Sequence, residues 1–254
     1  MTPVHDAGAP RMKSWEGSTV VITGVGRPGQ VGEAVAQAFA AEGAAVALVG
    51  RRESEVRERA ASITAAGGRA AAYGCDLADV PQVSALARRV ADGVQGREGR
   101  AGGLIDALVH LAGGFAMSGP LGKGEADVFQ QMVEINLTTA WVVSNAFVPM
   151  VRDGGSVVYV AAASALPGAK SAKMSAYVAA KAGVIGLMYS VADESRPRGV
   201  RANAVAPTAI RTADNLRSMG ADARYVDRAA VANTILFLCS PDSAITGQVF
   251  RLAD

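Results

Sequence analysis

The chain is expected to fold as a single α/β domain, a doubly wound parallel sheet of about seven strands with helices on both faces. Short β-branched runs alternate with longer Ala-rich stretches from Thr19 to Leu252, and a glycine-rich turn follows the first of these runs. The composition is 50% hydrophobic but only 5% aromatic, which favours helices packed closely on a sheet. A chain of 254 residues with that composition can bury one large core and needs no second domain.

Thr19–Thr23 is a β-branched run ending in glycines and reads as a buried strand. A helix over Glu33–Glu42 follows and stops at Gly43. Ala45–Val49 is the next strand, and Glu53–Ala66 a charged helix closed by Gly67 and Gly68. Ala70–Gly74 and Pro81–Val94 repeat the pair, and Gly93–Gly103 reads as a Gly- and Arg-rich loop. The strand Ile105–Leu111 leads to one long helix, Ala126–Met150, and then to the strand Ser156–Ala161. Ser175–Glu194 is a helix; Arg201–Val205 and Gln248–Leu252 are final strands around the helix Ala229–Cys239. Strands alternating with helices in this way imply a parallel sheet covered on both faces.

A net charge of +2 from 25 basic and 23 acidic residues gives no support for a nucleic-acid or membrane partner. No apolar run is expected to reach the roughly 20 residues of a membrane span. The start of the chain lacks a signal peptide's basic end and apolar centre, so a cytoplasmic location is expected. Residues 1–16 read as a mobile tail and 17–254 as the domain. Cys75 and Cys239 lack metal-ligand spacing and read as structural thiols in a reducing compartment. No metal site is expected.

The turn Thr23-Gly-Val-Gly-Arg-Pro-Gly-Gln-Val-Gly32 has the composition that lets backbone approach a pyrophosphate at a helix N-terminus. Gly24, Arg27, Gly29, Val31 and Gly32 are its candidate contacts. At the end of the second strand stands Gly50, where a cofactor with a free ribose 2′-hydroxyl calls for a carboxylate. Arg51 and Arg52 follow, and their guanidiniums suit a 2′-phosphate, so NADP(H) is the expected cofactor. Asp76, next to Leu77, is placed either to accept from an adenine amino group or to cap the next helix.

Tyr177 and Lys181 stand four residues apart, on one face of a helix. Bringing a tyrosine from a pKa near 10 toward neutrality needs roughly 3 units, or about 4 kcal/mol. An ammonium about 4 Å away at an effective dielectric near 20 supplies about that much. A phenol tuned in this way can exchange a proton with a carbonyl or alcohol oxygen.

With these motifs in place, the chain resembles the short-chain dehydrogenase/reductase superfamily from about Thr19 to Leu252, and the expected sheet is Rossmann-like. The resemblance implies that Tyr177 is the general acid for carbonyl reduction, and that Lys181 lowers its pKa and holds the nicotinamide ribose. It implies that Asn136 holds a water in a proton relay to the lysine; a polar group satisfying a helix kink is the other reading of that residue. Ala112 and Gly113 match part of the family's motif after strand four. Pro207 and Thr208 match the turn beside the nicotinamide. A homodimer or homotetramer is expected, with helices 126–150 and 175–194 as candidate interfaces.

The chain departs from the family pattern in several places. Its first turn is longer, and Gln30 replaces the middle glycine unless Gly29 serves in its place. His110 and Leu111 replace the family's Asn pair, with His110 expected to be structural. Thr208 replaces a glycine. Counting forward from the strand places the family's serine at Ala162, whereas counting back from Tyr177 places it at Ser164, which is the candidate hydroxyl. Ser171, Ser175 or no residue at all are the alternatives. A short, mobile substrate lid is expected at about 208–226, carrying Arg211 and Arg217. Phe115, Met117, Leu166 and Met188 are candidates to line an apolar pocket.

The function these features imply is an NADPH-dependent carbonyl reductase, reversible as an alcohol dehydrogenase, acting on a small carbonyl or alcohol substrate. Alternatives are a pteridine or quinone reductase, and a non-redox member such as a cyclase or structural subunit.

Overall fold

The computed structural model describes residues 15–94 and 104–253. They form one seven-stranded sheet in the order β3-β2-β1-β4-β5-β6-β7, with every neighbouring pair parallel. The strands are β1 Thr19–Thr23, β2 Ala45–Gly50, β3 Arg69–Gly74, β4 Ile105–His110, β5 Val151–Val160, β6 Arg201–Pro207 and β7 Gln248–Leu252. The helices are α1 Val31–Ala41, α2 Glu53–Ala65, α3 Val80–Val94, α4 Ala126–Met132, α5 Thr139–Phe147, α6 Ser175–Glu194, α7 Ala213–Met219 and α8 Arg228–Cys239.

The period-two alternation of the strands divides the core into two layers. Val20 and Ile22 of β1 join Val46 and Leu48 of β2 in burying against Phe39 of α1, Val56 of α2 and Ile235 of α8. Val21, Ala47 and Val49 face the other way, against Leu86 of α3, Phe147 of α5 and Met188 of α6. The doubly wound class is therefore present as expected. Strand order reverses between β1 and β4, which opens a crevice at their carboxyl ends.

The expected tail 1–16 and loop Gly93–Gly103 fall largely outside the described residues. Trp15, within that expected tail, is buried edge-on against Phe39 at 4.9 Å, and its backbone N–H donates to Glu42 O at 3.0 Å. The single helix expected over Ala126–Met150 is a correction: a π-helical turn, Val133–Thr138, separates α4 from α5. Asn136 lies in that turn, and its Nδ2 donates to Met132 O at 3.0 Å, so a side chain takes a place the backbone ladder leaves open. Strand β5 begins earlier than expected because its register against β4 shifts between Ile105 and Ala107. Helix α6 has the length and apolar composition of a membrane span, contrary to expectation. Its Val184, Met188 and Val191 are buried against the sheet.

Candidate functional site

The floor of the crevice is the turn after β1. Gly24 has φ 79°, and a Cβ there would lie 2.6 Å from Ala112 N; a Cβ on Gly32 would lie 2.6 Å from Gly24 O. The turn is therefore wedged between the β4 loop and the start of α1, and only glycines permit that approach. It borders a cavity of about 470 Å³. Of the expected contacts, Gly24, Arg27, Val31, Gly32, Arg51, Arg52 and Gly113 line it. Gly29 lies at its edge with φ 73°, and its N–H donates to Glu33 Oε2 at 2.7 Å.

Five cavity residues were not among the expected contacts: Gly26, Gln30, Glu55, Leu111 and Asp214. Gln30 precedes α1 in extended conformation, and its Nε2 is buried with no hydrogen-bond partner among the described residues. Glu55 pairs with Arg52 at 2.7 Å, and Asp214 with Arg27 at 2.5 Å. Each is an ordinary helix-surface acid in the sequence; only the fold brings it to the turn. A glycine cradle at a helix N-terminus, an orphaned amide donor and a set of guanidiniums are the donors a dinucleotide's phosphates require.

Asp76 does not line this cavity. Its Oδ1 accepts from Ala78 N at 3.0 Å, while the cap of α3 is Asp79, whose Oδ1 accepts from Gln82 N at 2.9 Å. Leu77 is buried in the core. Pro207 ends β6, and Thr208 donates its N–H to Leu252 O at 2.9 Å while its hydroxyl is buried without a partner among the described residues.

Tyr177 and Lys181 lie in the first two turns of α6, at the carboxyl ends of β4 and β5. Lys181 is buried, and its Nζ donates to Val160 O at 2.8 Å. A Cβ on Gly113 would lie 3.1 Å from that Nζ, which places the ammonium at the wall of the same cavity. The Tyr177 ring meets Phe115 edge-on, with centroids 5.0 Å apart. Burial pushes the Tyr177 phenol up to about 12 and brings the Lys181 ammonium down to about 8. The expected lowering of Tyr177 by Lys181 is thus corrected: burial alone shifts the phenol, in the opposite direction.

Asn136 is fully buried, and its amide clasps the loop after β4. Its Nδ2 donates to Gly114 O at 3.0 Å, and its Oδ1 accepts from Gly114 N at 3.1 Å. This holds the adjacent Gly113 against the lysine. His110 is buried at the end of β4, with Nδ1 2.9 Å from Thr23 Oγ1. Burial, reinforced by the Lys181 charge, brings its pKa down to about 3, so the ring is neutral.

Ser164 sits half-buried in the 3-10 turn Ala163–Ala165 that follows β5, and Ala162 is buried just before it. Ser175 Oγ is engaged with Ser118 Oγ at 3.1 Å. Phe115 and Met117 are exposed, whereas Met188 belongs to the core and Leu166 packs against that core, the other role open to each of them. The segment expected as a mobile lid contains α7, capped by Thr212 Oγ1, which accepts from Asn215 N at 3.2 Å. Its arginines are paired, Arg217 with Asp214 and Arg211 with Asp227. Both cysteines are buried, which pushes Cys75 up to about 11 and Cys239 to about 12, so neither is a ready thiolate. Among the described residues no cluster of His, Cys, Asp or Glu is arranged to hold a metal.

This crevice, with a glycine cradle on one side and a Tyr-Lys helix on the other, defines a dinucleotide-linked oxidoreductase of the doubly wound class. A family model described as enoyl-(acyl carrier protein) reductase matches residues 24–252. The chain belongs to the short-chain dehydrogenase/reductase superfamily. It is 34% identical over 253 residues to an indene-carboxyl-CoA reductase of Mycobacterium tuberculosis, covering 94% of this chain and 92% of that one. It is 30% identical over 254 residues to a 3-oxoacyl-[acyl-carrier-protein] reductase of Synechocystis, covering 95% and 97%. A citronellol catabolism dehydrogenase of Pseudomonas aeruginosa superposes with a TM-score of 0.80 at 29% identity, covering 96% of each chain.

Proposed function

We propose that the protein is an NADPH-dependent carbonyl reductase that also runs in reverse as an alcohol dehydrogenase. The observation that carries this reading is the placement of Lys181, its Nζ on Val160 O and against Gly113, one helical turn from Tyr177. The glycine turn, Arg51 and Lys181 would hold the dinucleotide, which when bound would supply a hydride to the carbonyl carbon. Tyr177, protonated at neutral pH, gives its hydroxyl proton to the carbonyl oxygen, so the C=O double bond becomes a C–O single bond bearing an O–H. Ser164 is the candidate donor that polarises the same oxygen. Asn136 positions the Gly113–Gly114 loop that Lys181 faces.

Arg51 supports the choice of NADPH, since it lines the cavity and forms no ion pair among the described residues. The named activity of the Synechocystis relative, reduction of a 3-oxo group, supports a ketone as the acceptor. The non-redox alternative rests only on the departures in the turn, the Asn pair and the serine. Fluorescence titration with NADPH and NADH, followed by a panel of ketones and aldehydes, tests the proposal. Micromolar NADPH binding with turnover on at least one carbonyl is expected; no binding of either dinucleotide below millimolar would defeat it.

A further inference from the structure

The carboxylate of Glu55 has no part in the reading above, yet it reaches into the dinucleotide cavity from the first turn of α2. Its Oε1 accepts from Arg52 Nη1 at 2.7 Å. Its Oε2 lies 3.2 Å from where a Cβ on Gly26 would stand. Glu55 therefore bridges the gap between the end of β2 and the glycine turn. In a doubly wound sheet that gap receives the adenosine ribose, and a carboxylate there accepts the ribose hydroxyls.

The usual place for that carboxylate is the end of β2, and here the backbone forbids it. A Cβ on Gly50 would lie 2.0 Å from Val25 O and 2.8 Å from Val56 Cγ2, so position 50 can hold no side chain. We propose that Glu55 fills this role from α2, and that the chain therefore binds NADH as well as NADPH. This rests on the dinucleotide reading of the cavity and adds a residue that sets its selectivity. With a bare ribose, the 2′-hydroxyl donates to Glu55 while Arg52 stays paired with that carboxylate. With a 2′-phosphate, Glu55 repels the ligand, and Arg51, free of any ion pair among the described residues, is the cation that holds it.

The test is direct binding, without substrate, of NADH and NADPH to the wild type, Glu55→Gln and Arg51→Gln, followed by calorimetry. Melting temperatures of the variants confirm that they fold. The wild type is expected to bind both dinucleotides. Glu55→Gln should weaken NADH about tenfold, the loss of a charged hydrogen-bond acceptor, and tighten NADPH. Arg51→Gln should weaken NADPH about tenfold and leave NADH within about twofold. An NADH affinity unchanged by Glu55→Gln overturns the assignment of Glu55 while leaving the dinucleotide site standing. A wild type that binds neither dinucleotide overturns both.

Discussion

Burial shifts three groups of the crevice toward their neutral forms, raising Tyr177 to about 12 and lowering Lys181 to about 8 and His110 to about 3, while Lys181 still carries its charge at neutral pH. A phenol that keeps its proton at neutral pH suits the acid that carbonyl reduction needs. The direction of the His110 shift sets a stability prediction. The folded ring stays neutral down to about 3, whereas the unfolded ring takes up a proton near its ordinary 6.5. Between those values the unfolded state binds more protons, so stability should fall as pH drops from 6.5 toward 3. Urea melts at pH 4 and pH 7 are expected to show this loss in the wild type and a smaller one in His110→Asn. The serine prediction also belongs at this scale. Ser164→Ala should lower kcat about 100-fold with the dinucleotide affinity unchanged, and Ser175→Ala should not, as measured by steady-state kinetics.

Among the elements, the π turn has the clearest structural consequence, since the Asn136 amide bonds Met132 O, Gly114 N and Gly114 O. Asn136→Leu removes these three hydrogen bonds at a fully buried position and is expected to cost about 3 kcal/mol in chemical denaturation. Elements marked by chemistry the chain must show locally were legible in the sequence: β1 by its β-branched run, the turn by its glycines, α6 by Tyr177 and Lys181. The π turn was not, because the apolar period runs unbroken from Ala126 to Met150 while the change lies in one side-chain hydrogen bond. The extra length of β5 includes Gly154 and Gly155, which lie where the register against β4 shifts beside Asp106, a pairing that strand-former composition does not mark. Glu55, Gln30 and Asp214 were invisible as site residues because their role is spatial, set by where α2, α1 and α7 meet the turn. The sign of the Tyr177 shift was missed for a related reason, since spacing shows a neighbouring charge but not the desolvation that outweighs it.

At the scale of the whole molecule, helices α5 and α6 bury one face on the sheet and leave large apolar side chains outside. Trp141 is 54% exposed and Tyr189 51%. Such surfaces mark protein interfaces, and self-association through these helices is expected. Analytical ultracentrifugation should give a dimer or tetramer, and Trp141→Glu should shift it toward the monomer. The fold's contribution to function is to bring the cradle after β1 and the Tyr-Lys helix after β5 to the same edge of the sheet, across the point where strand order reverses. The proposed reaction depends on Tyr177 supplying the proton at that edge. Single-turnover reduction of a carbonyl substrate by NADPH on Tyr177→Phe, with NADPH affinity measured on the same sample, tests this most directly. A rate about 1,000-fold below wild type with affinity within about twofold is predicted, whereas turnover close to wild type would show that another group delivers the proton.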